Sequence, residues 1–222
     1  MMEPVKAKRR YDSSRRRAQA EVTRADILDA AQRRFERDGY AATSMEAIAA
    51  DAGVALKTVY VAFGTKSGLL RALWNHLLRD GRDATPVAQQ PWYQQVLAEP
   101  DPERRLRLTF HTSRAVKLRI AGVLEVIRGA AQVDAEVAGL WNRIETEFHA
   151  NQRVIVESLE RGDALAAGLD VDAAADILWT INHPNVWQLL VGERGWTPER
   201  WERWSADLAC AQLLGHPTPP PA

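Results

Sequence analysis

The sequence predicts an all-α protein in which a small N-terminal helical domain precedes a larger helical bundle. Apolar residues recur at helical spacing along most of the chain, and the sequence has no alternating strand pattern, no Asn-Gly hairpin and no internal repeat. Charge divides the chain as well. Up to Arg82 there are 16 Lys and Arg against 10 Asp and Glu, and after it 13 against 19. A basic N-terminal part and an acidic C-terminal part favour two domains, and the basic one is suited to a polyanionic partner.

The chain divides into four parts on these patterns. Residues 1–19 are rich in Lys, Arg and Ser without an apolar period, which predicts a flexible basic arm, or equally a merely solubilising tail. Residues 20–66 are predicted to form a three-helix domain. Residues 67–215 are predicted to form the helical bundle, with its first helix connecting the two domains. Residues 216–222 are Pro-rich and are expected to be disordered.

The first helix of the small domain is predicted from one apolar stripe. Thr23 offers an N-cap with Asp26 three residues later, and Gly39 offers the stop. The stripe consists of Ile27, Leu28, Ala31 and Phe35.

Two short helices joined by a glycine turn are predicted next. Thr43 and Glu46 form a capping box that starts a helix ending near Asp51. Gly53 supplies the turn, and residues 55–62 can form the second short helix. This is the arrangement of a helix-turn-helix, in which the second helix enters the DNA major groove, although a small bundle without DNA would show the same periodicity. Thr65 is then predicted to cap a longer helix that carries Leu69, Leu70, Leu73, Trp74 and Leu77.

The bundle is predicted to begin after a region broken by prolines at 86, 91, 100 and 102. Near its end, Thr197 is a predicted N-cap, Pro198 the first helical residue, and Trp196 with Trp201 a hydrophobic staple. The predicted helices span 102–116, 117–131, 135–162, 171–182, 184–192 and 198–214.

The run TRADILDAAQRRFERDGYAATSMEAIAADAGVALKTVYVAFGTKSGLL resembles the DNA-binding domain of the tetracycline-repressor (TetR) family. It has the family's Ala-Ala and Phe in the first helix, then Gly-Tyr, Thr-Ser, Ile-Ala, Ala-Gly-Val, Thr-x-Tyr-x-x-Phe and Lys. The run ADILWTINHPNVWQLLVGERGWTPERWERWSADLACAQLL is similar to a C-terminal domain often found in that family. The resemblance implies a helix-turn-helix DNA-binding domain followed by a helical ligand-binding and dimerisation domain.

The resemblance also implies which residues face operator DNA. Thr43 and the first amides of the second helix would hold phosphate, and Tyr60 and Lys66 would each reach another phosphate. Lys57 and Thr58 would reach base edges or phosphate. The chain departs from the family at Ala55, where a capping Ser is usual, and at Ala62, where an aromatic residue or His is usual. Base readout is therefore expected to lean on thymine methyl contacts and DNA shape.

Two further sets of residues are predicted in the bundle. A stripe on the last helix is expected to form the dimer interface, because family members pair their last two long helices with those of the partner, with intrachain core as the alternative: Trp201, Trp204, Leu208 and Ala211. Large or polar residues on the middle helices are candidates for an effector pocket, each of which could also be plain core: Phe110, Arg114, Ile127, Trp141, Phe148 and Trp179.

The sequence also argues against several classes of function. Cys210 is the only cysteine, so neither an internal disulfide nor a thiolate metal cluster can form. His111, His149 and His183 lack metal-ligand spacing, and there is no nucleophile elbow or phosphate loop. We therefore expect no catalytic residues, no metal and no cofactor.

The predicted protein is a cytoplasmic homodimeric repressor, released from a palindromic operator by an unidentified small molecule. The sequence has no apolar run suited to a signal peptide and no stretch of about 18 apolar residues, so no membrane partner is expected. Two alternatives stay open: a ligand-independent DNA-binding or architectural protein, and a small helical enzyme.

Overall fold

A computed structural model describes residues 13–79 and 86–215. These residues form helices and contain no β-strand, which confirms the all-α prediction for the described part of the chain. The fold has two compact units, the first ending at Leu70 and the second beginning at Arg71. Most of the predicted basic arm and the whole predicted C-terminal tail lie outside the described residues.

The first unit is built from three helices and the start of a fourth. Helix α1 spans Ser13–Ala42, α2 Met45–Asp51, α3 Leu56–Phe63 and α4 Lys66–Leu78. The predicted stripe of the first helix is buried, together with residues of both short helices: Ile27, Leu28, Ala31, Phe35, Met45, Ile48, Ala49 and Val59.

The beginning of α1 corrects two predictions. The helix starts at Ser13 and not at Thr23, and residues 13–19 are helical where a flexible arm was expected. This segment contains three Arg, one Ala and one Gln, which favour helix without any apolar stripe, so periodicity alone could not find it. Gly39 interrupts the helix as predicted, because its φ of 77° lies in the left-handed region that glycine tolerates.

The second unit is a bundle of longer helices. Helix α6 packs against α7 and α10, and α8 packs against the same two helices. Trp201 of α10 lies fully buried in the core, with its ring 5.8 Å from Phe110 and 5.0 Å from Trp187. The elements after α4 are a 3-10 turn Val87–Gln89, α5 Pro91–Ala98, α6 Pro102–Ala130, α7 Ala135–Glu160, α8 Val171–Ile181, α9 Pro184–Trp187, a π-helical turn Gln188–Glu193 and α10 Pro198–Leu214.

Three predictions about these helices are wrong. The segments 102–116 and 117–131 form one helix, since no Gly or Pro separates them. Helix α5 was missed because Pro91 was interpreted as a breaker, whereas it occupies the first turn of the helix. Trp196 packs against Trp204, not Trp201, at 5.8 Å between ring centroids.

The start of α10 agrees with the sequence. The Thr197 hydroxyl accepts a hydrogen bond from the Arg200 amide, and Pro198 occupies the first turn. Cys210 lies on the buried side of this helix, and burial raises the pKa of its thiol to about 11. Among the described residues, no helix is both long enough and apolar enough to cross a bilayer.

Candidate functional site

The helix-turn-helix predicted from the sequence is formed by α2 and α3. The turn between them bends at Gly53, which has a φ of 65°. The Val54 amide then donates to the Ala49 carbonyl at 3.0 Å, which closes the turn onto α2. Val59 of α3 is fully buried, so this helix has one inner face and one outer face.

Ser44, and not Thr43, caps α2. The Ser44 hydroxyl accepts from the Ala47 amide at 3.1 Å. Thr43 is 2% exposed, and its hydroxyl donates to the carbonyls of Gly39 at 2.7 Å and Arg34 at 3.2 Å. The predicted capping role of Thr43 is therefore wrong by one residue, and its side chain instead joins the end of α1 to the start of α2.

The outer face of α3 presents most of the predicted DNA-reading residues to solvent. Lys57 and Thr58 are exposed, and Tyr60 is 46% exposed. Val61 is 78% exposed. An exposed valine beside Thr58 supplies methyl groups, which is the chemistry that contacts a thymine methyl.

Ala55 leaves the first turn of α3 without a side-chain cap, as the sequence predicted. The Thr58 amide donates to the Ala55 carbonyl at 2.8 Å, so the turn is held by backbone alone. A missing cap of this kind typically costs about 0.5–2 kcal/mol of helix stability.

Lys66 is held inside the first unit at the start of α4. Its ammonium donates to the carbonyls of Tyr40 at 2.8 Å and Thr43 at 3.0 Å, and lies 4.3 Å from the centre of the Tyr40 ring. This geometry ties α4 to the connection between α1 and α2. A direct contact between Lys66 and phosphate stays a prediction.

Two arginines that the sequence did not single out brace the helix-turn-helix. Arg34 of α1 makes two hydrogen bonds to the Asp51 carboxylate at the end of α2, at 2.5 and 2.7 Å. Arg24 donates to the Ala62 carbonyl at 3.3 Å and lies 4.4 Å from the centre of the Phe63 ring. Neither pair has a local sequence signal, since the partners are 17 and 38 residues apart.

Gly68 allows the tight turn between α3 and α4. A Cβ at this position would lie 2.4 Å from the backbone oxygen of Phe63, so any larger residue would push the two helices apart. The Gly68 amide donates to the Thr65 hydroxyl at 2.9 Å, which confirms Thr65 as the cap of α4. The turn thus fixes the position of the start of α4 relative to the end of α3.

The second unit contains a cavity that opens to solvent. Its volume is about 870 Å³ when the space at the opening is included. We call it the central cavity. Its walls are largely aromatic and aliphatic, and its polar residues come mainly from α6 and α7. The lining residues are Trp74, Leu78, Val87, Trp92, Tyr93, Val96, Thr109, Thr112, Ser113, Val116, Lys117, Ile120, Leu124, Ile144, Glu145, Glu147, Phe148, Asn151, Gln152, Ile155 and Pro184.

Of the six predicted pocket residues, only Phe148 lines the central cavity. Phe110 and Ile127 are fully buried core residues, and Arg114 pairs with Glu199 and Glu202 of α10. Trp141 and Trp179 do not line it. The predicted residues lie on α6, α7 and α8, whereas the cavity has residues of α6 and α7 in its wall and none of α8. Which side of each helix faces the cavity depends on packing.

Lys117 is the most unusual polar residue of the cavity. It is 4% exposed, and its ammonium donates to Asn182 Oδ1 at 2.7 Å. Asn182 in turn donates to Ser113 Oγ at 3.0 Å and to Gln152 Oε1 at 3.2 Å. Burial lowers the pKa of Lys117 to about 7. No sequence pattern singles out this lysine, because it lies in the middle of a long helix with no motif around it.

The predicted dimer stripe divides between core and surface. Trp201 is fully buried within its own chain, so its assignment to an interface is wrong. Trp204 is 39% exposed, and Leu208 and Ala211 are partly exposed. Leu208 borders a shallow surface groove between α8 and α10, which we call the α8–α10 face. It is lined by Asp176, Ile177, Thr180, Ile181, Leu208 and Gln212.

The first unit matches a known family. Residues 27–73 fit the family model described as bacterial regulatory proteins, tetR family. The transcriptional regulator BetI of Burkholderia lata is 36% identical over 87 residues, and that of Paraburkholderia xenovorans 33% identical over 87 residues. Each match covers 39% of this chain and 42% of the relative. The chain therefore spans about two fifths of the length of these relatives.

Solved structures share the fold over nearly the whole chain. SmeT, solved with triclosan, is 21% identical with a TM-score of 0.68, over 90% of this chain and 100% of that one. NalD, the secondary repressor of the MexAB-OprM multidrug efflux pump in Pseudomonas aeruginosa, is 22% identical with a TM-score of 0.66, over 89% and 98%. At this level of identity the likeness shows the fold, including the helical second unit.

Proposed function

We propose that this chain, whose N-terminal residues 27–73 fit the tetR family model, is a homodimeric repressor of that family that a small molecule releases from a palindromic operator. The observation that carries the DNA-binding part is the outer face of α3, where Lys57, Thr58, Tyr60 and Val61 are exposed on a helix whose inner face is anchored by Val59. Such a regulator acts in the cytoplasm, where the DNA is.

The central cavity supports a role in sensing. It is apolar with a few convergent polar groups, as small-molecule sites generally are. Helix α4 contributes Lys66 to the first unit and Trp74 and Leu78 to the cavity wall. We propose that a ligand favours one position of this helix and so changes the spacing of the two α3 helices in the dimer. A coupling of about 1–3 kcal/mol would weaken operator binding about 5- to 150-fold.

DNA readout is tested by selection from a random duplex pool. The wild-type protein is expected to select a palindrome whose half-sites lie about one helical turn, or a multiple of it, apart. Lys57→Ala and Thr58→Ala are each expected to relax preference at one position of the half-site, with a loss of about 1–3 kcal/mol there. Tyr60→Phe should weaken binding to all sequences alike, because a phosphate contact carries no sequence information.

Arg104→Ala is the control for these variants, since Arg104 is exposed on α6 of the second unit. It should leave both affinity and the selected sequence unchanged. A protein that selects no sequence, or whose preference is the same with and without Lys57 and Thr58, would contradict readout by α3.

The dimer is proposed to close through the α8–α10 face. An exposed apolar groove on two neighbouring helices is suited to a two-fold, self-complementary contact. Leu208→Glu is expected to convert the dimer to a monomer, because it places a charge in the middle of that contact. Light scattering after size exclusion at micromolar concentration measures the mass.

Leu118→Glu is the matched control, because Leu118 is 57% exposed on α6, away from the groove. It should leave the mass at that of a dimer. A monomeric wild type, or a Leu208→Glu variant that stays dimeric, would rule out this interface.

A further inference from the structure

Lys117 lacks the counter-charge that a buried ammonium normally needs. A buried charge is costly unless a paired group offsets the loss of water. None of the ion pairs among the described residues involves Lys117, and its ammonium donates a hydrogen bond to the neutral amide of Asn182. The groups that hold Asn182 in place, Ser113 and Gln152, are neutral as well. One of the three N–H donors of the ammonium is accounted for in this way.

The acidic residues of the cavity do not serve this purpose. Glu145 lies 3.0 Å from His183 Nε2, so its carboxylate already has a partner. Glu147 lines the cavity from the same helix, and among the described residues it forms no ion pair with Lys117. The other titratable group in the wall is Tyr93, whose hydroxyl donates to the Asn151 carbonyl at 2.5 Å. The chain thus supplies a buried cation to the cavity without a matching anion.

The rest of the wall suits an apolar body. Trp74, Trp92 and Phe148 contribute aromatic surface, and Ile120, Leu124 and Ile144 contribute aliphatic surface. The Lys117 ammonium lies 5.9 Å from the centre of the Phe148 ring and 4.7 Å from that of Trp201, so apolar groups surround the cation. A ligand with a long or aromatic body and one anionic end would match both features.

We propose that the central cavity binds an amphipathic carboxylic acid, whose carboxylate accepts hydrogen bonds from Lys117 and whose aromatic or aliphatic body lies among the tryptophans. This assignment rests on the proposed function in taking the cavity as the effector site. Hydrogen bonds between an ammonium and a carboxylate are among the stronger ones in proteins, and here they would form away from water. The ligand would supply the counter-charge that the chain leaves out.

The lowered pKa of Lys117 predicts a second measurable effect of acid binding, which is the uptake of a proton. With a pKa of about 7, part of the amine is neutral in the empty cavity at neutral pH. A bound carboxylate favours the charged form, so binding at pH 8 should take up a proton from solution. Glu145 with its partner His183, Glu147 and Tyr93 face the same cavity, and the Lys117 variant separates their contribution from that of the lysine.

The test uses two series of probes on the full chain without DNA. One series is 4-phenylbutyrate, 4-phenylbutan-1-ol and 4-phenylbutylamine, and the other is octanoate, octan-1-ol and octylamine. Each series keeps its body and changes only the charge of its end. Calorimetric titration at pH 6.5 is expected to show that at least one acid binds about 10- to 100-fold more tightly than its alcohol.

Lys117→Met should abolish this preference while leaving the affinity for the alcohol within about threefold, because Met keeps the apolar stem. Arg104→Met removes an exposed cation from the same helix and should leave the preference intact. Asn182→Asp is a second variant that keeps the lysine but places a carboxylate beside it. It should weaken acid binding selectively, because the cavity then contains its own anion.

Titration of the acid at pH 8 in phosphate and in Tris measures the proton uptake, which should approach one proton in the wild type and vanish in Lys117→Met. The inference is overturned if neither acid binds more tightly than its alcohol, if an amine binds most tightly, or if the preference survives in Lys117→Met. Binding of the protein to the duplex selected from the random pool is measured separately, by fluorescence polarisation. Acid binding that depends on Lys117 but leaves the duplex bound would contradict ligand release and not the site assignment.

Discussion

Replacing Trp201 with alanine is expected to destabilise the second unit by about 3–5 kcal/mol, the usual cost of truncating a buried tryptophan. The side chain is fully buried and its ring packs at 5.8 Å from Phe110 and 5.0 Å from Trp187. Removing the side chain leaves a void between the three helices α6, α9 and α10. Because all eight tryptophans follow Arg71, urea unfolding followed by tryptophan fluorescence reports this unit alone.

Trp204→Ala is the matched control from the same helix. Trp204 is 39% exposed, and its ring contacts that of Trp196, so its loss should cost less than about 1.5 kcal/mol. Both variants need to be compared at one protein concentration, because the stability of a dimer depends on it. A Trp201→Ala variant that unfolds like wild type but no longer dimerises would restore the interface that the sequence suggested.

Lys117→Met is expected to stabilise the second unit most at pH 6.5 and progressively less towards pH 9. The pKa of Lys117 is lowered from 10.5 to about 7 by burial, so between these values the unfolded chain holds a proton that the folded chain has released. The free energy of unfolding of the wild type therefore rises with pH in this window, by about 1 kcal/mol per pH unit. The variant lacks this dependence. The difference in free energy of unfolding between the variant and the wild type should therefore decrease by roughly 2 kcal/mol from pH 7 to 9.

Arg104→Met provides the comparison, since it removes an exposed cation from the same helix. Its stability should follow that of the wild type in parallel at every pH. If the free energy of unfolding of Lys117→Met ran parallel to that of the wild type from pH 6.5 to 9, the lysine would be charged in the folded protein at pH 9. The counter-charge argument for the central cavity would then lose its physical basis.

The features that the sequence predicted correctly are those with a local signal. The stripe from Ile27 to Phe35 specified a buried face, and Gly53 specified the turn of the helix-turn-helix. The start of α10 followed from Thr197 and Pro198, because caps depend only on neighbouring residues. The exposed face of α3 was also predictable, since its period and the family resemblance agree.

The features that the sequence could not supply depend on tertiary packing. A stripe such as Trp201 and Leu208 shows that one side of a helix is apolar, but not whether its own chain or a partner covers it. The residues that line the central cavity could not be singled out for the same reason, since Phe110 of α6 lies in the core whereas Phe148 of α7 lines the cavity. Pairs such as Arg34 with Asp51 join distant segments and leave no periodic trace.

The solitary, buried cysteine makes the chain convenient for site-directed labelling. Cys210 is 3% exposed, and because burial raises the pKa of its thiol to about 11, little reactive thiolate is present at neutral pH. A cysteine introduced at Val61, which is 78% exposed, would accept a maleimide dye with little background from Cys210. Energy transfer between two such dyes, one on each copy, would follow the distance between the α3 helices directly as ligand is added.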